Sequence, residues 1–150
     1  MQLLGAFESA SVRYLLIGGY AVGLLAKPRT TKDLDLLIDP SPTNRLRAAA
    51  ALLDFGMPAS LCKQVETMKL DDVVFFGREP MRVDVLLSIP GFDFEDAYAR
   101  RGAVTHRGVA ISVIHMDDLI ANKRAVGRAQ DLADVVALER TKAARARLTK

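Results

Sequence analysis

The chain has 150 residues, half of them hydrophobic, and a formal net charge of +3. This length suits one domain with an ordinary core, and no shift in composition marks a boundary, so we predict a single domain over residues 1–150. The single cysteine, Cys62, excludes an internal disulfide and lacks the partners of a zinc motif. The longest apolar stretch, Tyr14–Ala26, is too short to cross a bilayer, and the N-terminus lacks the basic flank of a secretory signal. We therefore expect a cytoplasmic protein without a membrane span.

The first predicted elements are a short strand and a helix joined by two glycines. Arg13–Ile17 has the pattern of a buried strand, and Gly18 and Gly19 precede a helical stretch over Tyr20–Ala26. Because no side chain obstructs the backbone at this turn, its N–H groups and the positive end of the helix dipole are open to an anion. We interpret Gly18 and Gly19 as a candidate phosphate cradle, and a tight turn with close helix packing is the alternative.

Two aspartates alternate in the next apolar strand, at Asp33 and Asp35. Successive side chains of a strand point to opposite faces, so both carboxylates project to the same side. Such a pair repels unless a proton or a cation lies between the two groups. Paired carboxylates suit Mg²⁺, which takes its other ligands from water and phosphates. The pattern predicts a site for Mg²⁺, or Mn²⁺, that binds a nucleoside triphosphate.

The following segments are predicted to be scaffold around this site. Ser41 and Pro42 are typical of a helix start, and Gly56 is typical of a helix end. A turn is predicted at Gly77–Pro80, and two further helices over the segments that contain Leu119–Gly127 and Leu132–Leu138. The helix that starts at Ser41 and Pro42 runs through Arg45 to Phe55. The other predicted helices cover Ser60–Met68 and Phe94–Arg100, and the other predicted strands cover Val73–Phe76, Arg82–Leu87 and Val109–Ile114. Together these elements predict an α+β domain with a small mixed β-sheet flanked by helices.

Asp84 is the only acid in the apolar run Met81–Leu87. Strand alternation places it on the face opposite Val83, Val85 and Leu87. A carboxylate in an otherwise apolar strand usually needs a partner, so Asp84 is a candidate third acid for the site. A solvated residue on an edge strand is the alternative.

The order of these motifs resembles the nucleotidyltransferase superfamily related to DNA polymerase β. A Gly-Gly pair, a helix-length gap and an Asp-x-Asp motif carry the resemblance. The segments GGYA and RTTKDLDL are most similar to AbiE-type toxin nucleotidyltransferases, and also similar to small lincosamide nucleotidyltransferases. The resemblance implies a nucleotidyltransferase-like fold from Tyr14 to about Leu138, and transfer of a nucleoside monophosphate from an NTP to a hydroxyl group. It also implies a metal triad of Asp33, Asp35 and Asp84, in which Asp84 accepts the proton of the attacking hydroxyl.

The resemblance implies further site residues outside the three aspartates. Arg29 and Thr30, just before the Asp-x-Asp strand, match an Arg-x-Thr pattern of the family. A cation at this place suits contact with the triphosphate or the incoming substrate, and a loop-stabilising role is the alternative. Lys123 matches a helical lysine that binds triphosphate. Asp131 and Asp134 match an acidic run that opens the next helix, although acids in a first helical turn also stabilise the helix dipole. Gln130 departs from the pattern, which has a basic residue there.

Partners follow from the toxin-like resemblance, which implies an RNA 3′ end, such as that of tRNA, or a protein as acceptor, and a cognate antitoxin. Two alternatives stay open: an antibiotic-modifying nucleotidyltransferase, and a noncatalytic nucleotide- or partner-binding module such as an antitoxin or regulator. Five of the 21 basic residues lie in a C-terminal helix or tail over 140–150. They suit RNA phosphates or an ordinary solvated helix end. His106 and His115 are interpreted as surface or capping residues.

Overall fold

The computed structural model of the chain describes residues 2–28, 31, 33–77 and 82–149. Helices and strands alternate irregularly along the chain, as expected of an α+β domain. The helices are α1 (Gln2–Ser9), α2 (Gly18–Leu25), α3 (Pro42–Phe55), α4 (Ala59–Thr67), α5 (Phe94–Ala99), α6 (Met116–Val126) and α7 (Ala129–Leu148). The strands are β1 (Tyr14–Ile17), β2 (Asp33–Ile38), β3 (Val73–Phe76), β4 (Arg82–Leu86), β5 (Gly102–His106) and β6 (Val109–Val113).

Within the described residues, six strands form one mixed sheet in the order β3-β4-β2-β1-β6-β5. β1 is antiparallel to β2 and parallel to β6, β2 is parallel to β4, and β3 and β5 are antiparallel strands at the two edges. Helices flank this sheet, so the predicted α+β fold with a mixed sheet is confirmed. The register places Asp35 opposite Ile17 of β1 and opposite Asp84 of β4. It thereby brings the glycine pair and two of the predicted carboxylates to the same part of the sheet.

The centre of the sheet forms the hydrophobic core. All four residues of β1 are buried. Phe7 of α1 packs edge-to-face on Tyr14, with ring centroids 5.6 Å apart, and the backbone N–H of Ser112 donates to the Tyr14 hydroxyl at 3.3 Å. Burial of each such large side chain contributes about 1.5–3 kcal/mol, so an apolar centre stabilises the strands that carry the polar site.

Asn44 of α3 connects this helix to two central strands. The residue is buried, and its side-chain amide donates to the carbonyl oxygens of Arg13 and Asp39 at 3.0 and 2.9 Å. Its amide oxygen accepts from the backbone N–H of Arg13 at 2.8 Å. These three bonds satisfy backbone groups just before β1 and just after β2. They fix the α3 side of the sheet, where the helix begins with Ser41 as its N-cap and Pro42 in its first turn.

Most predicted elements are present with ends within three residues of the prediction, except that the last helix, α7, continues to Leu148. The helix predicted from Ser41 and Pro42 through Arg45 to Phe55 is α3, which has Ser41 as its N-cap and ends before Gly56. Two elements, α1 and β5, are additional to the sequence prediction. The turn predicted at Gly77–Pro80 includes residues 78–80, which lie outside the described residues.

The basic C-terminal segment forms the end of α7, and two of its cations contact other elements. The Arg145 guanidinium donates to the carbonyl oxygen of Leu25 at 3.0 Å, and Lys142 pairs with Asp117 at 2.8 Å. His115 is a capping residue, since its Nδ1 accepts from the N–H of Asp117 at 3.0 Å where α6 begins. No helix among the described residues has both the length and the apolar composition that crossing a membrane requires.

Candidate active site

A cavity of about 560 Å³, which we call the site cavity, opens where α2 and the α6–α7 corner meet the sheet. Its polar lining includes the predicted motifs, and its apolar lining comes mainly from β3, β4 and the segment after β4. The polar lining includes Gly18, Gly19, Asp33, Asp35, Arg82, Asp84, Asn122, Lys123, Arg128, Gln130 and Asp131. The apolar lining includes Ile17, Val73, Phe75, Leu86, Ile89, Pro90 and Val126.

Asp35 and Asp84 lie side by side on the parallel strands β2 and β4. The pKa of Asp35 is raised from its ordinary 3.8 to about 7, first by burial and then by the charge and hydrogen bonding of the neighbouring Asp84 carboxylate. The charge of Asp33 contributes a smaller part of this rise. The Asp35 carboxyl group thus holds a proton near neutral pH unless a cation replaces it.

Gly18 provides the space that the Asp35 carboxylate occupies. A Cβ atom at Gly18 would overlap Oδ2 of Asp35 and lie 3.1 Å from its Cγ. The φ angle of Gly18 is +70°, a left-handed conformation that residues with a side chain rarely adopt. Since α2 begins at Gly18 and the N-cap residue Ile17 makes no side-chain capping bond, the helix N-terminus is open towards the site cavity.

Arg82 supplies the nearest cation to these carboxylates. Its guanidinium forms a two-pronged pair with Asp84, with Nε 2.7 Å from Oδ1 and Nη2 3.0 Å from Oδ2. It also stacks over the ring of Phe75, at 4.2 Å from the centroid. The pair raises the pKa of Arg82, so this side chain is a permanent cation beside Asp84.

Asp33 lies at the edge of this group. Its Oδ1 is 3.9 Å from Nε of Arg82. This carboxylate oxygen of Asp33 is buried and has no hydrogen-bond partner among the described residues. No three His, Cys, Asp or Glu side chains in the described part of the chain converge tightly enough to hold one metal ion together. The structure therefore brings Asp35 and Asp84 together and leaves Asp33 beside them, on the same face of β2.

Lys123 lies in a buried ionic cluster. Its side chain is 6% exposed, and its ammonium group is 3.2 Å from Asp131 and 3.1 Å from Asp134. Asp131 also accepts from Nε and the backbone N–H of Arg128, at 2.7 and 3.2 Å, and so caps α7. The hydrogen bond from Arg128 lowers the pKa of Asp131 to about 2, assisted by Lys123. The ammonium group of Lys123 thus contacts two carboxylates, and its contact with a triphosphate stays a prediction.

Two cations of the site cavity, Arg82 and Arg128, are additional to the predicted site residues. Arg82 precedes Asp84 by two positions and therefore shares its face of β4, which is the signal in the sequence. Arg128 stands immediately before α7, and its pairing with Asp131 at an i, i+3 spacing is the corresponding signal. Arg29 and Thr30 lie outside the described residues.

Comparison with solved structures identifies the fold. The lincosamide antibiotic adenylyltransferase LnuA, in its lincomycin-bound crystal structure, matches with a TM-score of 0.60 and 16% identity over 92% of each chain. A candidate nucleotidyltransferase from Thermotoga maritima matches with a TM-score of 0.62 and 13% identity, over 99% of this chain and 89% of its own. The chain has the nucleotidyltransferase fold.

A third match is the solution structure of the antibiotic-resistance factor ANT(2″)-Ia. Its TM-score is 0.60 at 14% identity, over 99% of this chain and 90% of that chain. The structural neighbours are thus nucleotidyltransferases, two of them antibiotic-related, and all share low sequence identity with this chain. Comparison with family models and with curated proteins gives no match.

Proposed function

We propose that the protein transfers a nucleoside monophosphate from an NTP to a hydroxyl group, with a divalent metal ion and with release of pyrophosphate. The observation that supports this proposal is the joint position of Asp35, Asp84 and the Gly18–Gly19 turn in one cavity. Two carboxylates that share a proton are a site for a hard cation, and an open helix N-terminus beside them is a site for phosphate.

The donor set fits Mg²⁺ or Mn²⁺. Mg²⁺ commonly binds one or two protein carboxylates and takes its other ligands from substrate phosphates and water. Asp35 and Asp84 provide the two carboxylates, and Oδ1 of Asp33, which has no hydrogen-bond partner in the described part of the chain, provides a third oxygen on the same face. When bound, the ion would polarise the reacting phosphate and lower the pKa of the acceptor hydroxyl. Asp35 and Asp84 side by side, with Asp33 next to them, leave ligand positions on the ion free for phosphate and water. A closed set of protein ligands around one ion would not.

The reaction then follows from these groups. The acceptor hydroxyl oxygen forms a bond to the α-phosphorus, and the bond between that phosphorus and the oxygen bridging to the β-phosphate breaks. Pyrophosphate leaves with the bonding electrons, and the hydroxyl proton passes to Asp84, the predicted base. Because Arg82 binds both oxygens of Asp84, it must withdraw before Asp84 can act. Gly18 and Gly19 would hold the phosphates through backbone N–H groups.

For the acceptor we favour an RNA 3′ end, such as that of tRNA, or a protein side chain, with a cognate antitoxin as partner. This choice follows the similarity of GGYA and RTTKDLDL to AbiE-type toxins. An antibiotic acceptor is the second candidate, because structural neighbours include a lincosamide adenylyltransferase and an antibiotic-resistance factor. Both candidates use the same chemistry and differ in the acceptor.

The test is transfer of label from each α-³²P-labelled NTP, with Mg²⁺, to total RNA, lysate protein, lincosamides or aminoglycosides. Asp33→Ala/Asp35→Ala should abolish labelling, whereas Asp54→Ala, an exposed aspartate of α3, should retain it. The class of labelled product identifies the acceptor. Labelling that persists in the double variant would refute the proposed mechanism. No labelling and no binding of Mg²⁺-NTP by the wild type would instead favour a noncatalytic module.

A further inference from the structure

Arg128 is the most exposed of the three cations that line the site cavity. Among the described lining residues these are Arg82, Lys123 and Arg128. The side chain of Arg128 is 74% exposed, compared with 34% for Arg82 and 6% for Lys123. A cation that is to meet an incoming anion must be accessible, and this difference separates Arg128 from the other two.

The existing contacts of these cations also favour Arg128 as the one that binds a ligand. Lys123 binds Asp131 and Asp134, and Arg82 is held by both oxygens of Asp84. Arg128 binds only Asp131 in this ionic cluster, through Nε at 2.7 Å and Nη2 at 3.3 Å, and these bonds do not use Nη1. A guanidinium carries five N–H donors, so Arg128 can bind a phosphate without releasing Asp131.

The ionic cluster of Lys123, Arg128, Asp131 and Asp134 has a formal charge of zero. Two buried carboxylates balance one buried and one exposed cation. Lys123 is needed to neutralise the acids inside the fold, because an unpaired buried carboxylate is costly. The exposed cation can therefore serve a ligand while the buried one maintains the cluster.

Arg128 lies where the β- and γ-phosphates of a bound NTP would be expected. It stands at the α6–α7 corner, and both α6 and α7 pack against α2, whose N-terminus begins at Gly18. Asp35, whose carboxylate lies against Gly18, and Asp84 beside it are on β2 and β4. A triphosphate whose α-phosphate lies at the carboxylates and crosses the α2 N-terminus would extend towards Arg128.

We propose that Arg128 binds the leaving pyrophosphate part of the NTP, and that Lys123 acts as a positioning residue that holds Asp131, and through it Arg128, in place. This inference rests on the proposed function, because it assigns a role within the same site. A guanidinium suits this task, since its fork bonds two phosphate oxygens at once and its charge offsets the charge that develops on pyrophosphate.

The test compares binding of a nucleoside triphosphate with binding of the corresponding monophosphate, by titration calorimetry with Mg²⁺. Non-reacting α,β-methylene analogues of the four NTPs are screened first, and the tightest is used. Arg128→Gln should weaken triphosphate binding by about 10- to 100-fold, the range for a lost bond to a charged group, and leave monophosphate binding unchanged. Arg124→Gln is the matched control, because Arg124 is an exposed cation of α6 paired with Glu139.

The outcomes separate this inference from the proposed function. Equal triphosphate affinity in wild type and Arg128→Gln would overturn the role of Arg128 alone, as would an equal loss for both nucleotides, which would indicate a structural role. A wild type that binds no nucleotide would overturn the proposed function and this inference with it. If Arg128→Gln does not fold, Arg128→Lys replaces it. That variant keeps the charge but loses the fork, and should weaken triphosphate binding several-fold without affecting the monophosphate.

Discussion

Replacing Asp35 with asparagine tests whether carboxylate crowding destabilises the metal-free protein. The pKa of Asp35 is raised from 3.8 to about 7, so the folded protein binds this proton more tightly than the unfolded chain does. The free energy of unfolding must therefore fall as the pH rises from about 4 to about 7 and stay level above that. Asparagine has nearly the same shape, does not ionise and can donate to Asp84. Asp35→Asn should therefore remove this pH dependence.

The magnitude follows from the shift. Each pH unit within the window changes the unfolding free energy by about 1.4 kcal/mol, and two units of it lie between pH 5 and pH 7. The stability of Asp35→Asn relative to wild type should therefore increase by about 2–3 kcal/mol between pH 5 and pH 8. Comparing the two pH values cancels any fixed cost of the amide itself.

The assay is urea unfolding followed by circular dichroism, in EDTA, at pH 5 and pH 8. Asp54→Asn, at an exposed position of α3, is the control and should show no such change. Addition of Mg²⁺ at pH 8 should stabilise the wild type and have little effect on Asp35→Asn, because a ligand stabilises only a protein that binds it. A stability difference that is the same at pH 5 and pH 8 would refute the reasoning.

Three further substitutions test other parts of the site and its support. Gly18→Ala should abolish nucleotide binding and lower the thermal unfolding temperature more than Gly108→Ala does. Both glycines have positive φ, but of these two only Gly18 has Asp35 in the space that a Cβ would occupy. Equal losses of unfolding temperature in the two variants would argue against this overlap. Asn44→Ala should lower the free energy of unfolding in urea by about 2–4 kcal/mol, because three backbone groups lose their partner; a loss below about 0.5 kcal/mol would contradict this. Asp131→Asn should cost about 2–4 kcal/mol at pH 7, measured in the same way. Because the pKa of Asp131 is lowered to about 2, that cost should shrink as the pH falls from about 4 towards 2, and a cost independent of pH would exclude the Arg128 bond as its source.

The sequence predicts those features that depend on local spacing. Asp33 and Asp35 share a face because strand alternation has a period of two, and the glycine pair marks the start of α2 because few other residues tolerate that turn. The strands apart from β5 are predictable because each is a short run rich in Val, Leu, Ile or Phe, interrupted in β2 and β4 by the acids of the site. β5 alternates between half-buried and exposed residues without a strong apolar signal, and α1 is a short helix without a capping residue in its sequence.

What the sequence does not predict depends on which elements become neighbours. The pairing of Asp35 with Asp84 requires β4 to lie parallel to β2, a register that neither strand specifies alone. The burial of Lys123 depends on α6 packing against α7, which places two carboxylates around its ammonium group. The motif of Lys123 does not reveal that its ammonium group lies between two carboxylates, and it does not single out Arg128, the most exposed cation of the described cavity lining.

The charges of the site explain how its carboxylates stay close together when no metal ion is bound. Asp33, Asp35, Asp84 and Arg82 together have a formal charge of −2, which a proton on Asp35 reduces to −1. Arg82 stays on Asp84 because Phe75 holds its guanidinium from the other side, so the metal-free protein keeps its acids close without full repulsion. A divalent ion in place of the proton and the guanidinium would leave the three acids and the ion with the same total charge of −1. The triphosphate then adds negative charge on the side of α2, where Arg128 is the exposed cation. The two arginines thus suit different steps. Arg82 releases Asp84 when the metal ion binds, and Arg128 binds the phosphates of the NTP.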